Sequence, residues 1–126
     1  MRKVKFLFLL GATLVMSLSF AGNACADKAS VTVDVPESAA NGSEITIKIT
    51  VSHNADNFIH HVNWAYIMVN GKEVERWKFK WNDLPPASTF TKEIKYKMEG
   101  PAEIKADANC NIHGSKGAVI KTITLK

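Results

Sequence analysis

The chain has 126 residues, 16 of them basic and 12 acidic, for a formal net charge of +4, with two cysteines and four histidines. A length of this order holds one domain with a modest core. Three of the basic residues and none of the acidic ones precede residue 27, so the rest is close to neutral, 13 basic against 12 acidic. That balance excludes any charge argument for nucleic-acid binding.

Arg2, Lys3 and Lys5 precede an apolar run from Phe6 through Leu14-Val15-Met16 to Phe20, and Ala24-Cys25-Ala26 puts small residues at both positions a signal peptidase reads. Residues 1–26 therefore read as a secretory signal peptide cleaved after Ala26, with a run short for a bilayer span. Lipidation of Cys25 stays open, although Gly22 stands where a lipoprotein signal carries Leu or a similar residue. Export places residues 27–126 in a periplasm or outside the cell, free of the membrane after cleavage.

Beyond the leader the pattern has period two, the mark of half-buried strands. Ser30–Val35 alternates on Val31, Val33 and Val35, and Glu44–Val51 on Ile45, Ile47, Ile49 and Val51. Between them Pro36–Gly42 has turn chemistry. Val62–Val69 is apolar on both faces except at Asn63, as a central strand is. Asn70-Gly71 is a strong hairpin signal and leads into Glu73–Trp81, which Leu84-Pro85-Pro86 breaks. Thr89–Met98, Ala102–Ala108 and Ala118–Leu125 complete seven strands without an amphipathic helix. The expected fold is all-β: one immunoglobulin-like sandwich with Greek-key connections. Trp64, Trp77 and Trp81 are expected in the core and near-site packing, and Arg76, Lys78 and Lys80 on the solvated face of their strand.

After cleavage Cys110 is the sole cysteine, so no intramolecular disulfide can form, and a free thiol in an oxidising compartment invites oxidation. A metal bond accounts for it. Cys110-x-x-His113 lies in the loop between the last two strands, followed by Gly114, Ser115 and Gly117. His53 ends one strand and His60-His61 opens another. His60 and His61 point to opposite faces if both are extended, so one of the two is expected to ligate. A thiolate with several imidazoles suits iron, zinc or copper rather than magnesium or calcium.

Ala108-Asn109-Cys110-Asn111-Ile112-His113-Gly114 resembles the C-terminal signature of the superoxide reductase family, the iron-binding domain of desulfoferrodoxin and neelaredoxin. The segment His53…His60-His61-Val62-Asn63-Trp64 is similar to that family's second signature: a histidine, a short loop, then a histidine opening a strand with an aromatic residue. The resemblance covers most of residues 27–126. It implies an immunoglobulin-like sandwich and a mononuclear, non-haem ferrous ion with four equatorial imidazoles, one axial thiolate and an open sixth position. On that basis Cys110 is axial and His53, His60 and His113 are equatorial.

Two departures stand out. Asp27-Lys28-Ala29 occupies the place of the family's Glu-Lys-His, so one equatorial histidine is replaced by Ala29, and the His53–His60 loop is one residue longer, which keeps His61 as an alternative ligand. By the same resemblance Lys28 draws the superoxide anion towards the open position and Asp27 is the candidate carboxylate for the oxidised iron. Superoxide is then the small-molecule substrate, an external electron donor is the partner, and a homo-oligomer is left open. The competing readings are a metal-binding or electron-relay module that kept the fold and part of the site, and a sandwich without metal.

Overall fold

The computed structural model describes residues 28–54 and 56–126. The leader over residues 1–26 and the Asp27 carboxylate lie outside the described residues, which contain strands and no helix. Eight strands follow in chain order: β1 (Ser30–Asp34), β2 (Ser38–Ala39), β3 (Glu44–Ser52), β4 (Val62–Val69), β5 (Lys72–Lys78), β6 (Thr89–Lys97), β7 (Ala102–Cys110) and β8 (Val119–Leu125). They form two sheets, β1-β3-β6 and β2-β8-β7-β4-β5. Every pairing is antiparallel except the parallel pairing of β2 with β8.

The alternating residues close the sandwich. Ile45, Ile47, Ile49 and Val51 of β3 are buried, as are Ala102, Ile104, Ala106, Ala108 and Cys110 of β7, all within one core cluster. Bulky branched residues on one strand and mostly alanine on another supply the alternation of large and small that lets two inner faces interdigitate. Asn70 and Gly71 both adopt positive φ, 50° and 80°. That is the handedness a two-residue hairpin needs to match the strand twist, and it joins β4 to β5.

Three details differ from the sequence reading. Pro36–Gly42 holds the two-residue β2, whose Ser38 and Ala39 pair with Thr124 and Leu125. A strand of two residues has no alternation to read. β5 stops at Lys78 rather than Trp81, and Trp81 is 66% exposed rather than packed in the core. β4 carries two register shifts, and the one between Val62 and Trp64 leaves Asn63 unpaired against β7. Bulges of this kind re-aim side chains at the end of a strand. Here the shift lies beside Cys110, which is Val62's partner across the ladder.

Candidate metal centre

The end of the sandwich where β3 and β7 finish and β4 begins collects the chain's metal-ligand residue types. His53 follows β3 directly, His60 precedes β4 by two residues, Cys110 is the last residue of β7, and His113 sits in the turn that follows. That turn is tight. Cys110 and Gly114 exchange both backbone hydrogen bonds at 2.9 Å, and Gly114 has φ 84°, a left-handed conformation glycine adopts without a Cβ clash. The three residues between them hold His113 against the sulfur, and the His113 N–H donates to Cys110 Sγ at 3.4 Å.

Three imidazole nitrogens converge. His53 Nε2 lies 3.2 Å from His60 Nε2, and His60 Nε2 lies 3.0 Å from His113 Nδ1. Cys110 Sγ is 3.8 Å from His113 Nδ1, and ligand atoms of His53, His60 and Cys110 all fall within 4.8 Å of one another. Lys28 lies to one side. It is half-buried and lines a polar groove of about 380 Å³ together with Ser52, His53, Ser88, Thr89 and Lys116. His61 is directed elsewhere: it is buried, and its Nδ1–H donates to the carbonyl of Asn57 at 3.0 Å. His60 lies in the bend that precedes β4, where Asn57 Oδ1 accepts its backbone N–H, and it is the one that meets the cluster.

Residues not singled out in the sequence hold these ligands in place. Asp56 Oδ1 accepts from His53 Nδ1–H at 3.0 Å and from the backbone N–H of Val62 at 2.9 Å. Asn57 Oδ1 accepts from the N–H groups of Ile59 and His60. Asn111 ties the two loops together: its Oδ1 accepts from His61 N–H at 3.0 Å, and its Nδ2 donates to the Ile59 carbonyl at 2.8 Å. The available signal was local for Asp56, a carboxylate three residues after a candidate ligand. For Asn57 and Asn111 there was none, because their partners are set by loop geometry.

The donor set fits a metal ion. A carboxylate only accepts hydrogen bonds, so Asp56 fixes the proton of a neutral His53 on Nδ1 and leaves the Nε2 lone pair facing His60. His60 Nε2 has two nitrogen neighbours and carries one proton at most when neutral, so the three nitrogens together hold more lone pairs than hydrogens. Adjacent ligands each about 2.1 Å from an ion stand about 3 Å apart, which matches the separations of 3.0 and 3.2 Å. The second oxygen of Asp56 is buried without a hydrogen bond among the described residues, so the carboxylate's main polar engagement is with His53 and β4. Outer partners of this type typically contribute about 10–100-fold in metal affinity. Asp56→Asn is therefore expected to weaken cobalt binding by about that factor, read by competition with a chromogenic chelator; an unchanged constant would remove Asp56 from this role.

The Ala29 position completes the geometry. Ala29 is fully buried, donates its N–H to the Gly114 carbonyl at 3.1 Å, and accepts from Lys116 N–H at 2.8 Å. It thus lies directly alongside the cysteine turn.

Solved structures of known proteins share the fold. Superoxide reductase (neelaredoxin) from Ignicoccus hospitalis superposes with a TM-score of 0.65 at 17% identity, covering 83% of this chain and 87% of that chain. A variant of that same protein gives the same score at 18% identity, covering 83% and 86%. The reduced form of superoxide reductase (neelaredoxin) from Archaeoglobus fulgidus gives 0.53 at 20% identity, covering 76% and 89%. At these identities the likeness is one of fold. Among curated protein sequences none matches. The family model for desulfoferrodoxin matches residues 22–116, a span that contains His53, His60, Cys110 and His113, and on that match the chain belongs to the desulfoferrodoxin family.

Proposed function

We propose that this chain is an exported, mononuclear non-haem iron protein of the superoxide reductase type, periplasmic or secreted. It takes superoxide, one electron and two protons to hydrogen peroxide, and an external donor replaces the electron. The observation that carries this reading is the meeting of three imidazole nitrogens and a buried cysteine sulfur at one end of a desulfoferrodoxin-family sandwich. Iron held there would supply the one-electron chemistry, and a thiolate–imidazole set suits it.

The chain's own residues do the rest. The Cys110 sulfur is 1% exposed and accepts the His113 N–H, a contact that holds it beside the His113 ring. Asp56 keeps the His53 lone pair turned inward. Lys28 and Lys116 line the groove beside His53, and no carboxylate among the described residues lines it with them, so the local field of these residues favours the approach of a small anion. Protons for the peroxide come from solvent.

A second reading has its own observation. The buried Ala29 lies beside the cysteine turn, where the family resemblance places a fourth imidazole. A site of three histidines and one cysteine also serves a metal carrier or electron relay. Ala29→His is expected to tighten ferrous-iron binding, measured by anaerobic titration. No change in affinity would mean that the residue 29 side chain does not reach the ion.

The deciding experiment loads residues 27–126 with ferrous iron under anaerobic conditions and adds superoxide. Stoichiometric peroxide without oxygen evolution, with a thiolate-to-ferric band rising as superoxide is consumed, supports the reductase. Iron that binds without reacting supports the carrier or relay, and failure to bind iron overturns both.

A further inference from the structure

At the same end of the sandwich, on the β4–β5 side, lies a groove of about 520 Å³ lined by Asn63, Trp64, Arg76, Lys78, Phe79 and Lys80. Three of these six residues are cationic and none is acidic. Lys78 and Lys80 are exposed and form no ion pair among the described residues. Trp64 stacks on Tyr66 with ring centres 5.4 Å apart at 19°, and the Arg76 guanidinium lies over both rings at 5.3 and 5.0 Å. Glu73 accepts from Arg76 Nε at 2.8 Å and fixes that guanidinium in place. Trp81, just beyond the groove lining in sequence, is 66% exposed. Rigid aromatic and arginine anchors set among free lysines have the composition of a recognition surface, and the sign of the charge selects an acidic partner.

The groove is also wired to the cysteine. Trp64 pairs with Asn109 across the β4–β7 ladder. The Asn109 side-chain amide donates to Asn63 Oδ1 at 2.8 Å and to the Cys110 carbonyl at 3.0 Å. One cross-strand step and one peptide therefore connect the groove floor to the residue that carries the sulfur. The polar groove containing Lys28 and Lys116 adjoins His53 instead and shares no lining residue with this one.

We infer that the Trp64–Arg76–Lys78–Lys80 groove is the docking surface for an acidic one-electron carrier protein, which delivers its electron on the Cys110 side of the centre. In that step the carrier is oxidised by one electron and the oxidised metal centre is reduced by one, with no bond made or broken. This rests on reading the centre as one that must be re-reduced. A separate face for the carrier lets it remain docked while a small anion uses the groove beside His53.

The test measures binding apart from turnover. The chain is loaded with redox-inert zinc and titrated with a plant-type [2Fe–2S] ferredoxin as the acidic probe, followed by isothermal calorimetry and by the Trp64, Trp77 and Trp81 indole signals in two-dimensional NMR. The expected result is binding that weakens at least tenfold between about 20 and 300 mM salt (about tenfold being the order for loss of a few charge contacts), with the largest shifts at Trp64 and Trp81. The double variant Lys78→Glu/Lys80→Glu should lose binding by a similar factor, with an otherwise unchanged amide spectrum as proof of folding. Trp81→Ala, at an exposed position, should weaken binding without abolishing it. No binding, binding indifferent to both variants, or shifts centred away from this groove would overturn the inference. Binding here by a chain whose iron form ignores superoxide would sink the reductase reading and leave the docking surface standing.

Discussion

Cys110→Ser is expected to erase the thiolate-to-iron absorption of the loaded protein, and superoxide consumption with it, while the sandwich remains folded. Both parts follow from where the residue sits. Its sulfur is the one soft donor of the cluster and is 1% exposed, so no other thiol among the described residues can replace it. A serine hydroxyl is a hard donor that stays protonated near neutral pH and does not give the charge transfer of a thiolate. Structurally the change is small, because serine inherits the His113 N–H as a partner. The buried hydroxyl should cost about 1–3 kcal/mol, against a stability of about 5–15 kcal/mol for a domain. Visible spectra of the oxidised iron form and a denaturant melt together check the claim, and a band that survives the substitution would take Cys110 out of the centre.

The second large effect separates two adjacent histidines. His60 Nε2 is the nitrogen shared by His53 and His113, so His60→Ala removes the middle of the array. The loss of metal affinity should exceed the roughly 10–100-fold typical of an outer partner. His61→Ala should act on the fold instead. It deletes a buried ring and leaves the Asn57 carbonyl without its donor, a loss of about 1–3 kcal/mol in stability at unchanged metal stoichiometry. Metal analysis and melting curves of the two variants should move in opposite patterns. Equal metal loss in both would mean that His61 enters the coordination sphere.

The contrast between these neighbours marks how far the sequence could be read. Alternation on β1, β3 and β7 announces itself because each inward residue is apolar and each outward one polar, but Cys110, expected in the loop after Ala108, is instead the last buried residue of β7, because the ladder with β4 runs on to Val62. The Asn-Gly hairpin is legible because only a few residue types tolerate two positive φ values in a row. β2 is not legible, since two residues give no period and the pairing rests on backbone hydrogen bonds to β8. The early end of β5 is hidden for a related reason: Trp77, Phe79 and Trp81 keep the alternation going after the ladder has stopped.

At the centre, residue chemistry points to cysteine and histidine, but the choice between His60 and His61 depends on the direction of a loop. That loop is set by Asp56, Asn57 and Asn111, which read as ordinary polar loop residues until their hydrogen bonds are known. Ala29 is the opposite case. Its meaning comes from what the family resemblance places there, while its burial against the cysteine turn comes from the fold.

The spacing of the donors has a consequence for how the protein acquires its ion. His53 and His60 belong to one loop and Cys110 and His113 to one turn much further along the chain, as the Asn111–His61 contact across 50 residues illustrates. An unfolded chain can therefore present the ligands only in pairs, and closing so long a loop around an ion is entropically unfavourable. The pairing of β4 with β7 brings the two halves together, so assembly of that sheet precedes tight coordination. A metal held there would bind the folded chain far better than the unfolded one, and by mass action would stabilise it in proportion to the logarithm of the free metal concentration. Loading would then be a late step of maturation, and an ion held at this centre would also stabilise the fold that holds it.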